Sequence, residues 1–419
     1  MRHSQRVLLL CLVVTSKLIN AGSTTQRESP SESFASVVQT VDTVSPVIVL
    51  SNNQKESLVA VSPKLQGRVL TSTADGWNGR SLGWVNGKLI TSRKVQEHFN
   101  PYGGEDRLWI GPEAGQFSVF FAPNAPFDLA HWFTPAALDT EPFEVVHHSQ
   151  TSVSFRRSFT LLNYSGTRFN LQVNREVRVL SPEEVWKDLG LTPVEGLKIV
   201  AFESKNKLTN VGPKTWTKKT GLPSLWILGQ FQASPATTIV IPIQEGSPTD
   251  LGERVNSGYF GHIPSDRLSA NPNVIYFKAD AEYRGKLGIN PLRAKGLLGS
   301  YDAQNHLLTL VQYSFPNANA EYVNSAWKIQ DDPYKGDVAN AYNDGPQPSG
   351  GSRLGHFYEL ESSSPAAALS PGHSLEHVQR TIHVEGDEKQ LDRVARALGV
   401  GITEIRTAFP AVQSDSKQQ

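Results

Sequence analysis

The chain has 419 residues, with 40 basic and 40 acidic side chains and a formal net charge of zero at pH 7. A chain of this size can bury a large core, and its balanced charge gives no bulk attraction to nucleic acid or to an acidic membrane surface. The only cysteine, Cys11, excludes a disulfide within the chain, so stability must come from the core.

Residues 1–22 have the pattern of a secretory signal peptide. Basic residues precede an apolar run at 7–14, and small residues follow at Ala21 and Gly22. The run is too short to span a bilayer. We therefore expect export to a secreted or periplasmic location in a bacterium, with no membrane insertion after the signal is removed.

Residues 23–56 are rich in Ser, Thr, Gln and Glu with little periodicity, which predicts a flexible N-terminal segment. From residue 57, short runs of β-branched and apolar residues alternate with turn signals such as Asp75-Gly76, Asn86-Gly87 and Gly103-Gly104. This rhythm predicts an all-β sandwich or barrel over residues 57–400.

Two short helices are predicted within this all-β pattern. Ser181 followed by Pro182 and two glutamates begins the first, because serine caps helices and proline and acids favour the first turn. Apolar residues at helical spacing over 387–398 predict the second. Residues 401–419 are expected to form a C-terminal tail.

The segment 99–121 combines side chains that suit a sugar site. Arg107 and Glu113 can pair with hydroxyls, while the indole of Trp109 can cover the C–H side of a sugar ring. The alternative is a structural ion pair between Arg107 and either Asp106 or Glu113.

Two later positions could also contact a ligand. Lys286 shares a strand face with Arg284 and is flanked by Gly285 and Gly288, which would admit close approach. Asp344 lies in a Gly-, Asn- and Pro-rich loop, where binding residues are common. A solvent-exposed turn lysine is the alternative for Lys286.

The stretch 353–384 shows clear strand periodicity. With a period of two, Glu359 and Glu361 share one face with Phe357. After a loop, a second run places apolar residues on the expected core side and polar residues opposite, namely His377, Gln379, Thr381 and His383. If the two strands form a hairpin, acids and imidazoles line one surface; the alternative is a solvated sheet face.

The segment 358–365, YELESSSP, followed by Leu369 and Pro371-Gly372, resembles the late strand of galactose mutarotase-like (aldose 1-epimerase-like) proteins. Residues 208–226, with Leu208-Thr209-Asn210 and Trp216, are similar to a second segment of that family. The resemblance implies a secreted bacterial branch with a large antiparallel β-sandwich, the galactose mutarotase-like supersandwich.

The resemblance also implies site roles. It places Glu361 at the position of the family's catalytic base and gives Arg107 a part in holding the sugar. Leu222 or Pro223 stands where the family has its general-acid histidine, so His262 is the displaced candidate for that role.

These observations predict a secreted saccharide-processing enzyme of aldose 1-epimerase type that binds a mono- or oligosaccharide. The expected binding residues are Arg107, Trp109, Glu113, Lys286, Asp344 and Glu359. A non-catalytic carbohydrate-binding protein, or a polysaccharide lyase or glycoside hydrolase on the same scaffold, remains an alternative. Without a phosphate-binding loop, an HExxH motif or a cysteine metal site, no cofactor and no metal are expected.

Overall fold

The computed structural model describes residues 32–346 and 352–409. The predicted signal peptide lies outside these residues and stays a prediction. No helix in the described ranges combines the length and apolar composition needed to cross a membrane.

Strands dominate the described residues. In chain order they are β1 (Ile48–Ser51), β2 (Leu58–Ser62), β3 (Arg68–Thr73), β4 (Arg107–Gly111), β5 (Glu144–His148), β6 (Ser152–Leu162), β7 (Arg168–Val179), β8 (Lys198–Asn210), β9 (Ser224–Gln232), β10 (Thr237–Pro242), β11 (Leu268–Ala270), β12 (Val274–Lys278), β13 (Gly285–Ile289), β14 (Leu297–Asp302), β15 (Leu307–Tyr313), β16 (Ala339–Asn343), β17 (Phe357–Ser363) and β18 (Ser374–Glu385). The α-helices are α1 (Phe34–Asp42), α2 (Gly87–Ser92), α3 (Ala136–Asp139), α4 (Pro182–Leu189), α5 (Pro248–Leu251), α6 (Glu388–Ala395) and α7 (Ile402–Arg406).

These strands form three antiparallel sheets. The largest has ten strands in the order β11-β12-β10-β14-β15-β18-β8-β7-β6-β5, the second has five in the order β13-β16-β17-β9-β4, and the third is β1-β2-β3. Every strand pair described is antiparallel, from the β6–β7 pair to the β16–β17 pair. The prediction of antiparallel β-sheets with a few short helices is confirmed.

The five-stranded sheet packs face to face on the ten-stranded sheet. Leu287 and Leu360 of the smaller sheet share one buried cluster with Ile239, Leu298 and Val311 of the larger sheet. Since side chains alternate along a strand, the opposite face of the five-stranded sheet is left to form the floor of a cleft.

The two strands that could have formed a hairpin lie in different sheets. β17 pairs with β16 and β9, whereas β18 pairs with β15 and β8. The polar face of β18 points into the sandwich, where Ser362 Oγ of β17 lies 2.8 Å from Nε2 of His377. Acids and imidazoles therefore do not line one hairpin surface, and the alternative of a solvated face is wrong for the buried side chain of His377.

The assignment of the core side of β18 also needs correction. Ile382 and Val384 do pack in a core, but it lies on the outer face of the large sheet, beneath the helices α4, α6 and α7. His377 and His383 are fully buried on the inner face. This part of the sheet is covered on both faces, so alternation alone could not identify the inner one.

The predicted flexible segment 23–56 contains α1 and β1. Ser33 caps α1, whose side chains Phe34, Val37, Val38 and Val41 are buried at helical spacing. They pack against β2 and β3, and β1 pairs with β2. Similarly, the predicted tail contains α7, because Ile402 and Ile405 are buried.

Both helices predicted from the sequence are present. Ser181 caps α4 in a reciprocal capping box, and Gly190 ends it with a positive φ of 67°. Asp387 caps α6 in the same way.

A buried ion pair and a buried hydrogen bond fasten the segment that leads into β4. Asp106 accepts from Nη2 of Arg175 on β7 at 2.6 Å, and both side chains are completely withdrawn from water. Glu105 accepts from Nε2 of His383 on β18 at 2.9 Å. The residue that follows these two acids is Arg107, so the large sheet helps position it.

Candidate functional site

The floor of the cleft is the outer face of the five-stranded sheet. Cross-strand register aligns side chains from successive strands in rows. One row is Lys286, Tyr342, Glu359 and Gln230; the next is Asn340, Glu361, Leu228 and Arg107; the third includes Trp226 and Trp109. Residues distant in the chain are thus brought together by strand pairing.

Loops complete a cleft of about 400 Å³ above this floor. Its lining includes eight aromatic residues, which are Phe99, Trp109, Trp132, Trp226, Phe260, Trp327, Tyr342 and Phe357. Trp109 and Trp226 meet edge to face with ring centroids 5.4 Å apart, and Trp132 stacks on Phe120 at 5.7 Å. Such mutual packing holds the rings in fixed orientations.

Arg107 lies on the floor of the cleft among aromatic rings. Its guanidinium carbon is 4.1 Å from the ring centroid of Trp109 and 5.3 Å from that of Phe99. Nη2 donates to Oε1 of Glu359 at 3.3 Å, while Nε and Nη1 have no partner among the described residues. Burial lowers the pKa of Arg107, partly offset by the negative charge of Glu359.

Glu359 lines the cleft and accepts both of its hydrogen bonds from Arg107 and Gln230 through one carboxyl oxygen. Oε1 accepts from Arg107 and, at 2.8 Å, from Nε2 of Gln230. Burial raises the pKa of Glu359 to about 8, helped by the neighbouring charge of Glu361 and opposed by Arg107 and Lys286. The raised pKa favours the protonated form of this carboxyl group, which is also within hydrogen-bond reach of Glu361.

Glu361 lies beneath the cleft and is completely buried. Its Oε2 accepts from Nζ of Lys286 at 3.1 Å and from Nε1 of Trp226 at 2.8 Å. Burial alone would lower the pKa of Lys286, but the charges of Glu361 and Glu113 raise it above its usual value. Lys286 and Trp226 both line the cleft, so Glu361 is one side chain away from any ligand there.

The other predicted site residues are placed as follows. Trp109 and Glu113 line the cleft, and burial raises the pKa of Glu113 against the opposing charge of Lys286. Asp344 does not line the cleft. It accepts a hydrogen bond from the hydroxyl of the lining residue Tyr342 at 2.7 Å and pairs with Arg284 at 3.3 Å.

His262 is not among the residues that line the cleft. Its side chain is exposed, and its carbonyl accepts from the hydroxyl of Tyr283 at 2.7 Å. The structure therefore does not bring His262 together with the glutamates.

Another imidazole, His98, does line the cleft and was missed from the sequence. Its Nδ1 lies 2.9 Å from the carbonyl oxygen of Trp132, and its ring stacks on Phe133 with centroids 4.3 Å apart. Because a carbonyl only accepts, Nδ1 carries the hydrogen and Nε2 is left to exchange a proton with a ligand. Nothing in the local sequence around His98 indicates this.

Gln230 and Arg284 are further lining residues that the site prediction omitted. Gln230 could be found only through its pairing with Glu359 across two strands. Among residues 32–346 and 352–409, no cluster of three or more His, Cys, Asp or Glu side chains is arranged to hold a metal ion.

Comparisons with known proteins give a family and structural neighbours. The model of a family of unknown function, DUF6786, matches residues 32–409. No curated protein matches the chain.

Three solved structures align with 81% of this chain. They are a candidate aldose 1-epimerase from Escherichia coli K12 (15% identity, 98% of that chain, TM-score 0.46), the Slr1438 protein from Synechocystis sp. PCC 6803 (13%, 96%, 0.48) and a galactose mutarotase-like protein from Lactobacillus casei ATCC 334 (12%, 99%, 0.42). The structural neighbours are thus galactose mutarotase-like and aldose 1-epimerase proteins, as the resemblance in sequence predicted.

Proposed function

This chain belongs to the DUF6786 family, and we propose that its cleft binds a saccharide. One observation carries the proposal: a single cleft combines eight aromatic residues with the charged or polar groups of Arg107, Lys286, Glu359 and Gln230. Hydroxyls need donors and acceptors in alternation, and the C–H faces of a sugar ring pack on aromatic rings.

We further propose that the bound saccharide undergoes aldose 1-epimerisation, with Glu359 and Glu361 acting as a proton relay. Glu359 takes the proton of the anomeric hydroxyl while passing its own proton to Glu361. The bond between the anomeric carbon and the ring oxygen then breaks, a carbonyl forms, and the ring oxygen takes the Nε2 proton of His98, which enters the step as the imidazolium because Nδ1 keeps its hydrogen on the carbonyl of Trp132. Reclosure on the other face of the carbonyl returns both protons.

The arrangement of the two glutamates supports this relay. Residues two apart on a strand share a face, and the side chains of Glu359 and Glu361 are within hydrogen-bond reach of each other. Glu359 lines the cleft, and Oε2 of Glu361 lies 3.1 Å from Nζ of Lys286. Two carboxyl groups whose environments differ in this way can divide the acid and base roles.

The test is a screen of reducing mono- and oligosaccharides by calorimetry and by polarimetry of mutarotation. We expect the wild type to bind and epimerise at least one sugar. Glu359→Gln and Glu361→Gln should each lower turnover by a factor of about 10² to 10⁴ and retain most of the affinity. Glu183→Gln, an exposed position on α4, is the matched control.

A non-catalytic carbohydrate-binding protein is the second candidate. It is favoured by the complete burial of Glu361 and by the exposed position of His262 away from the cleft lining. Saccharide binding that both glutamine variants leave unchanged, without mutarotase, lyase or hydrolase activity, would establish this reading and exclude the relay.

A further inference from the structure

The mouth of the cleft carries exposed apolar side chains beside the exposed polar residues Gln96, Glu97 and Ser352. Leu129, Phe260 and Leu354 line the cleft and are 60%, 44% and 44% exposed to water. Phe133, also exposed, stacks on the lining residue His98. We call these four apolar residues the rim.

The rim is a concentration of unusual residues. Twelve large hydrophobic side chains are exposed in the described part of the chain, and the rim contains four of them. Single exposed hydrophobic residues are ordinary, but a group of them at the mouth of a cleft indicates contact with an apolar partner.

The floor has the opposite character. Arg107, Lys286 and Glu359 are 3%, 7% and 7% exposed, so the polar contacts lie at the bottom of the cleft. A ligand that fills the whole cleft therefore needs a polar part for the floor and an apolar part for the rim.

A second sugar ring would cover the rim poorly. Its hydroxyls could pair with Gln96, Glu97 and Ser352, but Leu129 and Leu354 offer no donor, no acceptor and no aromatic face. An alkyl or acyl chain would remove these two side chains, and its own surface, from water.

We propose that the ligand is a saccharide carrying an apolar alkyl or acyl substituent, with its sugar ring on the floor and its chain on the rim. This inference rests on the proposed function, because it assumes that the floor holds a sugar. It adds the substrate class: an amphipathic sugar conjugate, in place of a free sugar.

The test uses matched pairs of sugars that differ only in chain length. Calorimetry compares 6-O-methyl with 6-O-hexyl sugars, and 6-O-acetyl with 6-O-hexanoyl sugars, for glucose, galactose and mannose, so that the anomeric hydroxyl stays free in every member. We expect at least one long-chain member to bind at least about tenfold more tightly than its short-chain partner.

The rim variant Leu129→Ser/Leu354→Ser should bind the two members of that pair equally. Both positions are exposed, so thermal unfolding should confirm that the variant folds like the wild type. The control is Leu162→Ser/Val211→Ser, which alters exposed hydrophobic residues that do not line the cleft and should keep the chain preference.

Equal binding of every pair by the wild type, with sugars bound, would overturn the substituent and leave the saccharide site standing. Binding of no sugar in either form would overturn both proposals. A wild-type dimer that the rim variant converts to a monomer, without any chain preference, would show that a second copy of the chain covers the rim instead.

Discussion

Nζ of Lys286 lies 3.1 Å from Oε2 of Glu361, in an ion pair beneath the cleft whose side chains are 8% and 0% exposed. A second donor, Nε1 of Trp226, shares the same oxygen. Taking two charges out of water is costly, and the pair is tolerated only while both partners are present.

Replacing Lys286 with Met should therefore be strongly destabilising. It leaves the carboxylate of Glu361 buried without its cation, which costs about 3 to 5 kcal/mol in the free energy of unfolding. Urea unfolding measures this loss. The double variant Lys286→Met/Glu361→Gln should recover much of it, because no uncompensated charge remains.

Lys218→Met is the control for this prediction. Lys218 pairs with Glu321 on the surface, where an ion pair contributes about 0 to 1 kcal/mol. Equal losses for Lys218→Met and Lys286→Met would contradict the description of the buried pair.

Glu359→Gln should change how stability depends on pH. The pKa of Glu359 is raised from 4.5 to about 8 in the folded chain, so the folded state holds more protons than the unfolded state between these values. Wild-type stability therefore contains a contribution that is lost as pH rises through this window. A glutamine at this position does not titrate, so the variant does not lose stability in this way.

Chemical unfolding at about pH 5, 7 and 9 checks this prediction. The stability of Glu359→Gln relative to the wild type should increase between the first and last values, by about 1.4 kcal/mol for each unit of pKa shift. The exposed Glu376→Gln serves for comparison and should run parallel to the wild type. A Glu359→Gln curve parallel to the wild type would rule out the raised pKa.

His98→Gln should impair turnover more than binding. Removing a general acid typically lowers the rate by a factor of about 10² to 10⁴, whereas a glutamine can still contact the carbonyl of Trp132. Steady-state kinetics on a sugar from the screen separates kcat from KM. His131→Gln alters an exposed histidine paired with Asp128 and should have no effect; an equal effect of both changes would remove His98 from the mechanism.

His377→Gln should make the stability of the folded chain less sensitive to acid. Burial lowers the pKa of His377 to about 3, and its two ring nitrogens contact Ser314 and Ser362 at 3.0 and 2.8 Å. The unfolded chain takes up a proton below about pH 6.5 that the folded chain refuses, so stability falls as pH drops from 6.5 to about 3.

The variant lacks this proton uptake, and its stability should fall less steeply over the same range. Circular dichroism during an acid titration measures the slope. His148→Gln, at an exposed position on β5, should leave the slope unchanged. An equal or steeper fall for His377→Gln would mean that burial does not keep this imidazole neutral.

Phe34→Ala tests whether α1 is part of the folded domain. Phe34 is fully buried against β2 and β3, so its truncation should cost about 3 to 5 kcal/mol in the free energy of unfolding. Gln39→Ala, on the exposed face of the same helix, should cost little. Equal losses in the free energy of unfolding for the two variants would restore the prediction of a loosely attached segment.

Period-two alternation identified much of the site before the structure. It placed Glu359 and Glu361 on one face, and both are at the floor of the cleft or just beneath it, with Lys286 and Arg107 beside them. Alternation is local, however. It cannot say which strands pair, and β17 and β18 lie in different sheets although they follow one another in the chain.

The remaining errors also have physical reasons. A solvated face was one of the two alternatives for His377, but buried hydroxyls of Ser314 and Ser362 contact its ring, and alternation along β18 does not indicate which residues lie opposite. His98 reaches the cleft through a loop with no periodic pattern. For α1, by contrast, the helical spacing and the serine cap are visible in the sequence, and the polar composition of the segment concealed them.

The side chains of Glu105, Asp106 and Arg107 contact three different parts of the fold. Glu105 reaches β3 and β18, Asp106 reaches β7, and Arg107 reaches the cleft. Deleting one residue just before this triplet would shift every partner by one place and turn each side chain to the opposite face. Insertions and deletions here should be far less tolerated than substitutions. A change of length that alters the cleft at this point would also shift the contacts between this segment and the sheets that support the cleft.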